Sequence, residues 1–166
     1  MIQIQKNKGR DFIIPTTEDK KRYQEAIKYF KMKKVEFEKE NLIPTENILA
    51  SHRKLNTLWH YNIKYWNEYF DERQLLVLCT FLKNLKNICN TIEDKEYRSV
   101  IALYLAGVLS RRIDMAGFGV QWHTRAEKPE HILAMRQPIV AYNFAESNPF
   151  EKIGGSLINN IKSIKN

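Results

Sequence analysis

The stretch from Asp71 to Asp114 most tightly constrains what this chain can fold into. In Asp71-Glu72-Arg73-Gln74 an acid and an amide three residues apart form a capping-box pattern, each side chain satisfying the other's free backbone N–H. Leu75, Leu78, Leu82, Leu85 and Cys89 then recur at helical spacing as one apolar stripe. Thr91-Ile92-Glu93-Asp94 makes a short polar break. A second helical pattern runs from Lys95 to Asp114 and contains VIALYLAGVL, apolar on nearly every side, which predicts a place at the centre of a bundle. Gly107 inside it costs about 1 kcal/mol relative to alanine. Close approach of a neighbouring backbone is the expected return. Arg111 and Arg112 sit in the last turn, where cations suit the helix dipole.

Upstream, Phe12-Ile13-Ile14-Pro15 reads as an extended lead-in, since the residue before a proline is pushed out of the helical region. Thr16 or Thr17 caps a helix that runs to Glu40, with Tyr23, Ile27, Phe30 and Phe37 as its apolar stripe. Its other faces are lysine-rich and include Lys28, Lys31, Lys33 and Lys34. Residues 41–51, with Pro44, form a loop. In LWHYNIKYWNEYF (58–70), Trp59, Ile63, Trp66 and Phe70 share one helical face. Interleaved basic and aromatic residues also fit a stacking platform for single-stranded nucleic acid, but packing is the simpler account. Residues 115–129 read as a loop punctuated by Gly117 and Gly119, and a further helical stretch begins at Pro129-Glu130, strained by Pro138. IGGSLINNIKSIKN closes the chain as an amphipathic tail.

The predicted fold is all-α, a four- to five-helix bundle with short loops and the character of a fragment or insert domain. It is one domain over 1–166: a lead-in (1–15), a basic helix and loop (16–50), a helical core (51–150) and a tail (151–166). With 43% apolar and 28% charged residues the chain has a globular composition. It holds no run of about 18 apolar residues, and its first ten residues lack a signal peptide's apolar core. Cys79 and Cys89 lie ten residues apart on one predicted helix, about 15 Å along its axis. That exceeds the roughly 7 Å reach of a disulfide and fits a reduced, cytoplasmic chain.

The net charge of +8 is uneven: residues 1–66 hold 14 Lys/Arg against 8 Asp/Glu, and residues 67–166 hold 13 against 11. A basic half points to a polyanionic partner, most simply nucleic acid; a solvated lysine-rich face accounts for it equally well.

Chemical motifs are sparse. His52 and His60 are eight apart, as are His123 and His131, without thiolates or carboxylates at ligand spacing, so no metal is expected. Gly117-Phe118-Gly119 is not a dinucleotide fingerprint and Gly154-Gly155-Ser156 is not a P-loop, so no cofactor is expected in this chain. Arg125 and His131 match the loose Arg-x4–6-His signature of all-α metal-independent RNases, in which histidine moves protons and arginine holds the phosphate. Ser147-Asn148-Pro149-Phe150 approaches the Asn/Asp-Pro-Pro-aromatic loop of enzymes that methylate a base amino group, but it lacks one proline.

Three stretches together resemble one family. They are IKYWNEYFDERQLLVLCTFLKNL (63–85), DKEYRSVIALYLAGVLSRRID (94–114), and VQWH (120–123) with FAESNPF (144–150). In this order and spacing they resemble the central region of the large adenine-specific DNA methylases of bacteria and archaea. Those proteins carry an N-terminal domain of unknown function and belong to defence and restriction-modification type gene clusters. FIIPTTEDKKRYQEA (12–26) is similar to the family's lead-in. Where the family tends to Tyr-Gly this chain has Tyr61-Asn62, and asparagine tolerates the left-handed turn. Where it tends to Trp-Asp this chain has Tyr142-Asn143.

The resemblance implies that FAESNPF precedes the true Asp-Pro-Pro-Tyr loop and that the Gly-rich S-adenosylmethionine strand lies upstream. SNPF is then structural or substrate-facing; read as structural, Phe150 is buried and Asn148 turns or caps the chain. The implied function is a helical segment of an N6-adenine DNA methyltransferase, giving DNA contact or scaffolding without catalysis of its own. Its partners would be DNA and the rest of the methylase catalytic domain. The contact candidates are Lys28, Lys31, Lys33, Lys34, Trp122, His123, Arg125 and Asn148. Competing classes are a stand-alone RNase and a protein–protein module.

Overall fold

The structure, a computed structural model, describes residues 3–6, 10–49, 51, 55–126, 128–132, 138–141, 144–152 and 154–164. The lead-in is more than extended chain. Strands β1 (Gln3–Lys6) and β2 (Arg10–Ile13) form an antiparallel hairpin that pairs Gln3 with Ile13 and Lys6 with Arg10. Two short runs separated by three residues that include Gly9 carry that signal.

Helix α1 (Thr17–Lys39) opens with a reciprocal cap: the Asp19 amide donates to Thr16 Oγ1 at 3.1 Å and the Thr16 amide donates to Asp19 Oδ2 at 2.9 Å. It closes with Asn41 in the left-handed region (φ 53°), and the Leu42 amide reaches back to the Phe37 carbonyl at 2.9 Å. Phe30 and Phe37 are buried, and Tyr23 and Ile27 are half-buried.

The aromatic stretch is not one helix. Helix α2 (Asn56–His60) stops at Asn62 (φ 59°), where the Ile63 amide donates back to the Leu58 carbonyl at 3.0 Å. A 3-10 turn follows at Trp66–Tyr69. The aromatics nevertheless pack as the simpler account requires. Trp59, Trp66 and Phe70 lie against a core of Ile48, Leu58, Ile63, Tyr69, Val120 and Ile132, and Trp59 Nε1 donates to the Ile48 carbonyl at 2.8 Å.

Helix α3 (Glu72–Asn90) has the expected Asp71/Gln74 capping box. It buries Leu75, Cys79, Leu85 and Cys89, and packs on α1 through a core of Phe30, Phe37, Leu42, Ile43, Leu75 and Cys79. Both cysteines are free and buried. Helix α4 (Lys95–Ile113), capped by Asp94, packs on α3 but is not the centre of a bundle. It buries Val108 and Arg112 and leaves Leu103 75% exposed, because helices cover only part of its circumference. Among the described residues nothing beyond its own helix lies within 4 Å of a Cβ placed on Gly107, so none of their backbones approaches there.

Beyond α4 the helical core expected to reach residue 150 gives way to irregular chain. Strands β3 (Trp122–His123) and β4 (Lys128–Pro129) form a small antiparallel hairpin. The helical stretch expected from Pro129-Glu130 is absent from residues 128–132. There the Glu130 amide donates to the Gln121 carbonyl at 2.8 Å and the Ile132 amide to the Asp114 carbonyl at 2.9 Å, so cross-chain bonds replace helical ones. Residues 133–137, Tyr142-Asn143 and His52 lie outside the described residues. The tail folds as α5 (Leu157–Ile164), packed on α4. The Asn159 amide donates to Ser156 Oγ at 3.1 Å at its start. The fold is mostly helical, with two small hairpins.

Candidate functional site

FAESNPF enters the interior through an extended segment. The Ala145 amide donates to the Val120 carbonyl at 2.8 Å, and Phe144 packs edge-on against Phe118 with ring centroids 5.1 Å apart. The loop before β3 must be nearly bare to admit this. A Cβ on Gly119 would lie 1.9 Å from Tyr69 Oη and 2.4 Å from the Ile139 carbonyl oxygen. Gly117 holds φ 101°, a conformation that suits glycine. The Gly-Phe-Gly pair therefore closes on Tyr69 and Ile139.

Glu146 is the centre of a buried ionic knot. Its carboxylate accepts a two-pronged bond from Arg73, with Nη1 at 3.0 Å from Oε1 and Nη2 on Oε2. Gln74 Nε2 donates to it at 3.2 Å and Arg112 Nη2 at 3.4 Å. Arg112, at the end of α4, is 1% exposed and also donates to Ser147 Oγ at 3.2 Å and the Gly155 carbonyl at 3.1 Å. Burial pulls its pKa down, and the Glu146 charge opposes that pull. Gln74 Oε1 accepts from the amides of Asp71 at 3.1 Å and Gly117 at 3.2 Å. One carboxylate thus ties the start of α3, the end of α4 and the turn before α5 to FAES. With both oxygens engaged by cations and an amide, Glu146 is a clamp. Sequence spacing does not bring Arg73, Arg112 and Glu146 together, and local patterns offer only the helix-end position of Arg112.

Past the clamp, Ser147 and Pro149 are buried while Asn148 and Phe150 are exposed, Phe150 by 67%. Asn148 Oδ1 accepts from the Phe150 amide at 3.0 Å, the expected turn. The burial expected for Phe150 is overturned: Pro149 takes the inward place, and the turn swings the aromatic out.

The other candidates fall in two groups. Lys28, Lys31, Lys33 and Lys34 lie on α1, which packs on α3. Lys31 pairs with Glu72 at 3.6 Å, Lys33 with Glu36 at 2.8 Å and Lys34 with Glu38 at 3.9 Å, while Lys28 makes no ion pair among the described residues. Trp122, His123 and Arg125 lie on the β3–β4 hairpin. Trp122 is half-buried, and its Nε1 has no partner among the described residues. His123 Nδ1 accepts from the Ala126 amide at 2.9 Å and so braces the turn. Arg125 is exposed.

His131 is bound to Asp114, with Nδ1 to Oδ2 at 2.5 Å. Among the described residues no group of three His, Cys, Asp or Glu gathers as for a metal, and no helix is long and apolar enough to cross a membrane. A cavity of about 390 Å³ lies between α3, α4 and residues 41–46, lined chiefly by apolar side chains such as Leu42, Phe70, Leu75 and Leu109. Cys79 borders it, but burial pushes its thiol up to about 11, away from nucleophilic use.

No family model matches the chain, and no curated protein or solved structure matches it.

Proposed function

We propose that this chain is a helical scaffold that contacts nucleic acid, the central segment of an adenine-specific DNA methyltransferase of the kind it resembles. In this reading it works in the cytoplasm, and the rest of the enzyme's catalytic domain supplies the methylating loop and the S-adenosylmethionine site. The Asn148–Phe150 turn carries the proposal. It offers an exposed aromatic and amide on a backbone anchored by buried Ser147 and Pro149 and by the Glu146 clamp. An exposed ring held this way presents a π-face to an unstacked base. Lys20, Lys21 and Lys28, exposed and without ion pairs among the described residues, supply phosphate contacts that position without specifying.

Binding to labelled single-stranded and duplex DNA across a salt series tests this reading. Affinity should fall steeply with salt, and Lys20, Lys21 and Lys28 all changed to Glu should abolish it. Phe150→Ala should weaken single-strand binding by about 1–3 kcal/mol and leave the unfolding midpoint unchanged. A Phe150→Ala variant that binds like the parent rejects the turn as a contact.

The Asp114–His131 pair favours a second reading, the metal-independent RNase. An acid that fixes Nδ1 orients the other nitrogen for proton transfer. RNA cleavage in chelator, lost in His131→Ala, would decide for it.

A further inference from the structure

The outward face of α4 has no covering element among the described residues. Tyr97, Val100, Leu103, Tyr104 and Gly107 share it, and the four large side chains are 49–75% exposed. Gly107 leaves a gap in the middle, with no atom of another element among the described residues within 4 Å of an added Cβ. Charges bracket the stripe: Glu96 in the first turn and Arg111 in the last, both exposed. Glu96 has no ion pair among the described residues, and Arg111 makes a single hydrogen bond, to Ser163 Oγ at 3.2 Å.

These residues are arranged symmetrically about a point between Leu103 and Tyr104. If the helix is laid antiparallel on a second copy about that point, Glu96 meets Arg111, Val100 meets Gly107, and Leu103 meets Tyr104. The acid finds the base at both ends, and a branched side chain lies over the bare glycine. We propose that α4 forms the two-fold contact of a homodimer. The occupant is a second copy of this chain, because the face is complementary to itself in charge and in shape, as an isologous contact must be. Gly107, whose helical cost no internal contact offsets, then admits the partner's Val100. One helix face is smaller than the roughly 800 Å² per partner of a stable interface, so the dimer dissociates on dilution.

Sedimentation of the full chain over a dilution series, with paired charge reversals, tests the proposal. Glu96→Arg and Arg111→Glu, both at exposed sites, should each raise the dimer Kd by about tenfold or more, since like charges then face each other. An equimolar mixture of the two variants should recover the association, because arginines on one copy face glutamates on the other. The double variant should recover it as well. Gly107→Leu should abolish association without lowering the unfolding midpoint. A parent chain monomeric at every concentration overturns the proposal and leaves the face to another partner. So do single variants that associate like the parent, or a mixture that fails to recover.

Discussion

Helices α3 and α4 each span 19 residues and pack against one another, yet they dispose of their apolar side chains differently. Helix α3 is one-sided: Leu75, Cys79, Leu85 and Cys89 go inward, and polar groups such as Lys83 and Lys86 strap its flank to α1. Helix α4 is apolar almost all round, buries only Val108 and Arg112, and turns Tyr97, Val100, Leu103 and Tyr104 outward. Its inner end is held by a charged side chain, Arg112, on Glu146. Apolar patterning alone therefore states that a face needs cover, not that the fold provides it. A stripe with polar flanks identifies its own buried side, whereas an all-round pattern does not.

The largest effect should come from breaking the charged anchor. Glu146→Ala leaves Arg73 and Arg112 without their shared carboxylate, Arg112 at 1% exposure. Removing one partner of a buried ionic group costs about 3–5 kcal/mol. Denaturant midpoints measure it, and a loss under about 1 kcal/mol would mean that water already shares the knot. Matched truncations then sharpen the contrast between the helices. Leu75→Ala on α3 should cost about 2–5 kcal/mol, since it opens a cavity in the core. Leu103→Ala on α4, at 75% exposure, should stay within about 0.5 kcal/mol at concentrations where the chain is monomeric.

What the sequence makes legible follows from range. The Thr16/Asp19 and Asp71/Gln74 caps, the α3 stripe and the left-handed Asn62 are local, and each can be read from a few neighbouring residues. The aromatic stretch misleads because a helical period survives in it although Asn62 ends the helix. Residues 130–132 mislead because the Glu130 and Ile132 amides donate to Gln121 and Asp114 and not within a helix. The clamp is invisible for a stronger reason. Glu146 lies 73 residues from Arg73 and 34 from Arg112, so only the folded chain joins them. The outward turn of Phe150 follows from Pro149 taking the buried place, which the local pattern alone does not decide.

The smallest expected effect concerns the strap that α3 has and the outer face of α4 lacks. Lys83 Nζ on α3 donates to Glu36 Oε1 on α1 at 2.5 Å and to Oε1 of Glu40, the residue that caps α1, at 2.6 Å. Hydrogen bonds from Lys33, and next from Lys83, hold the Glu36 carboxyl down at about 2, against an ordinary value of 4.5. A carboxyl with a depressed folded pKa favours the folded state while it is ionised there. Its contribution is therefore present above about 4.5 and fades as pH falls towards 2. The groups are solvent-exposed, so the effect is modest and shrinks in salt. In Lys83→Met the Lys33 bond remains, and only the bridge between helices is lost. The difference in unfolding midpoint between parent and Lys83→Met should be constant above pH 4.5 and close as pH falls to 2. A difference that does not change with pH would show that Lys83 contributes through its packed methylenes, and α3 would then differ from α4 in apolar burial alone.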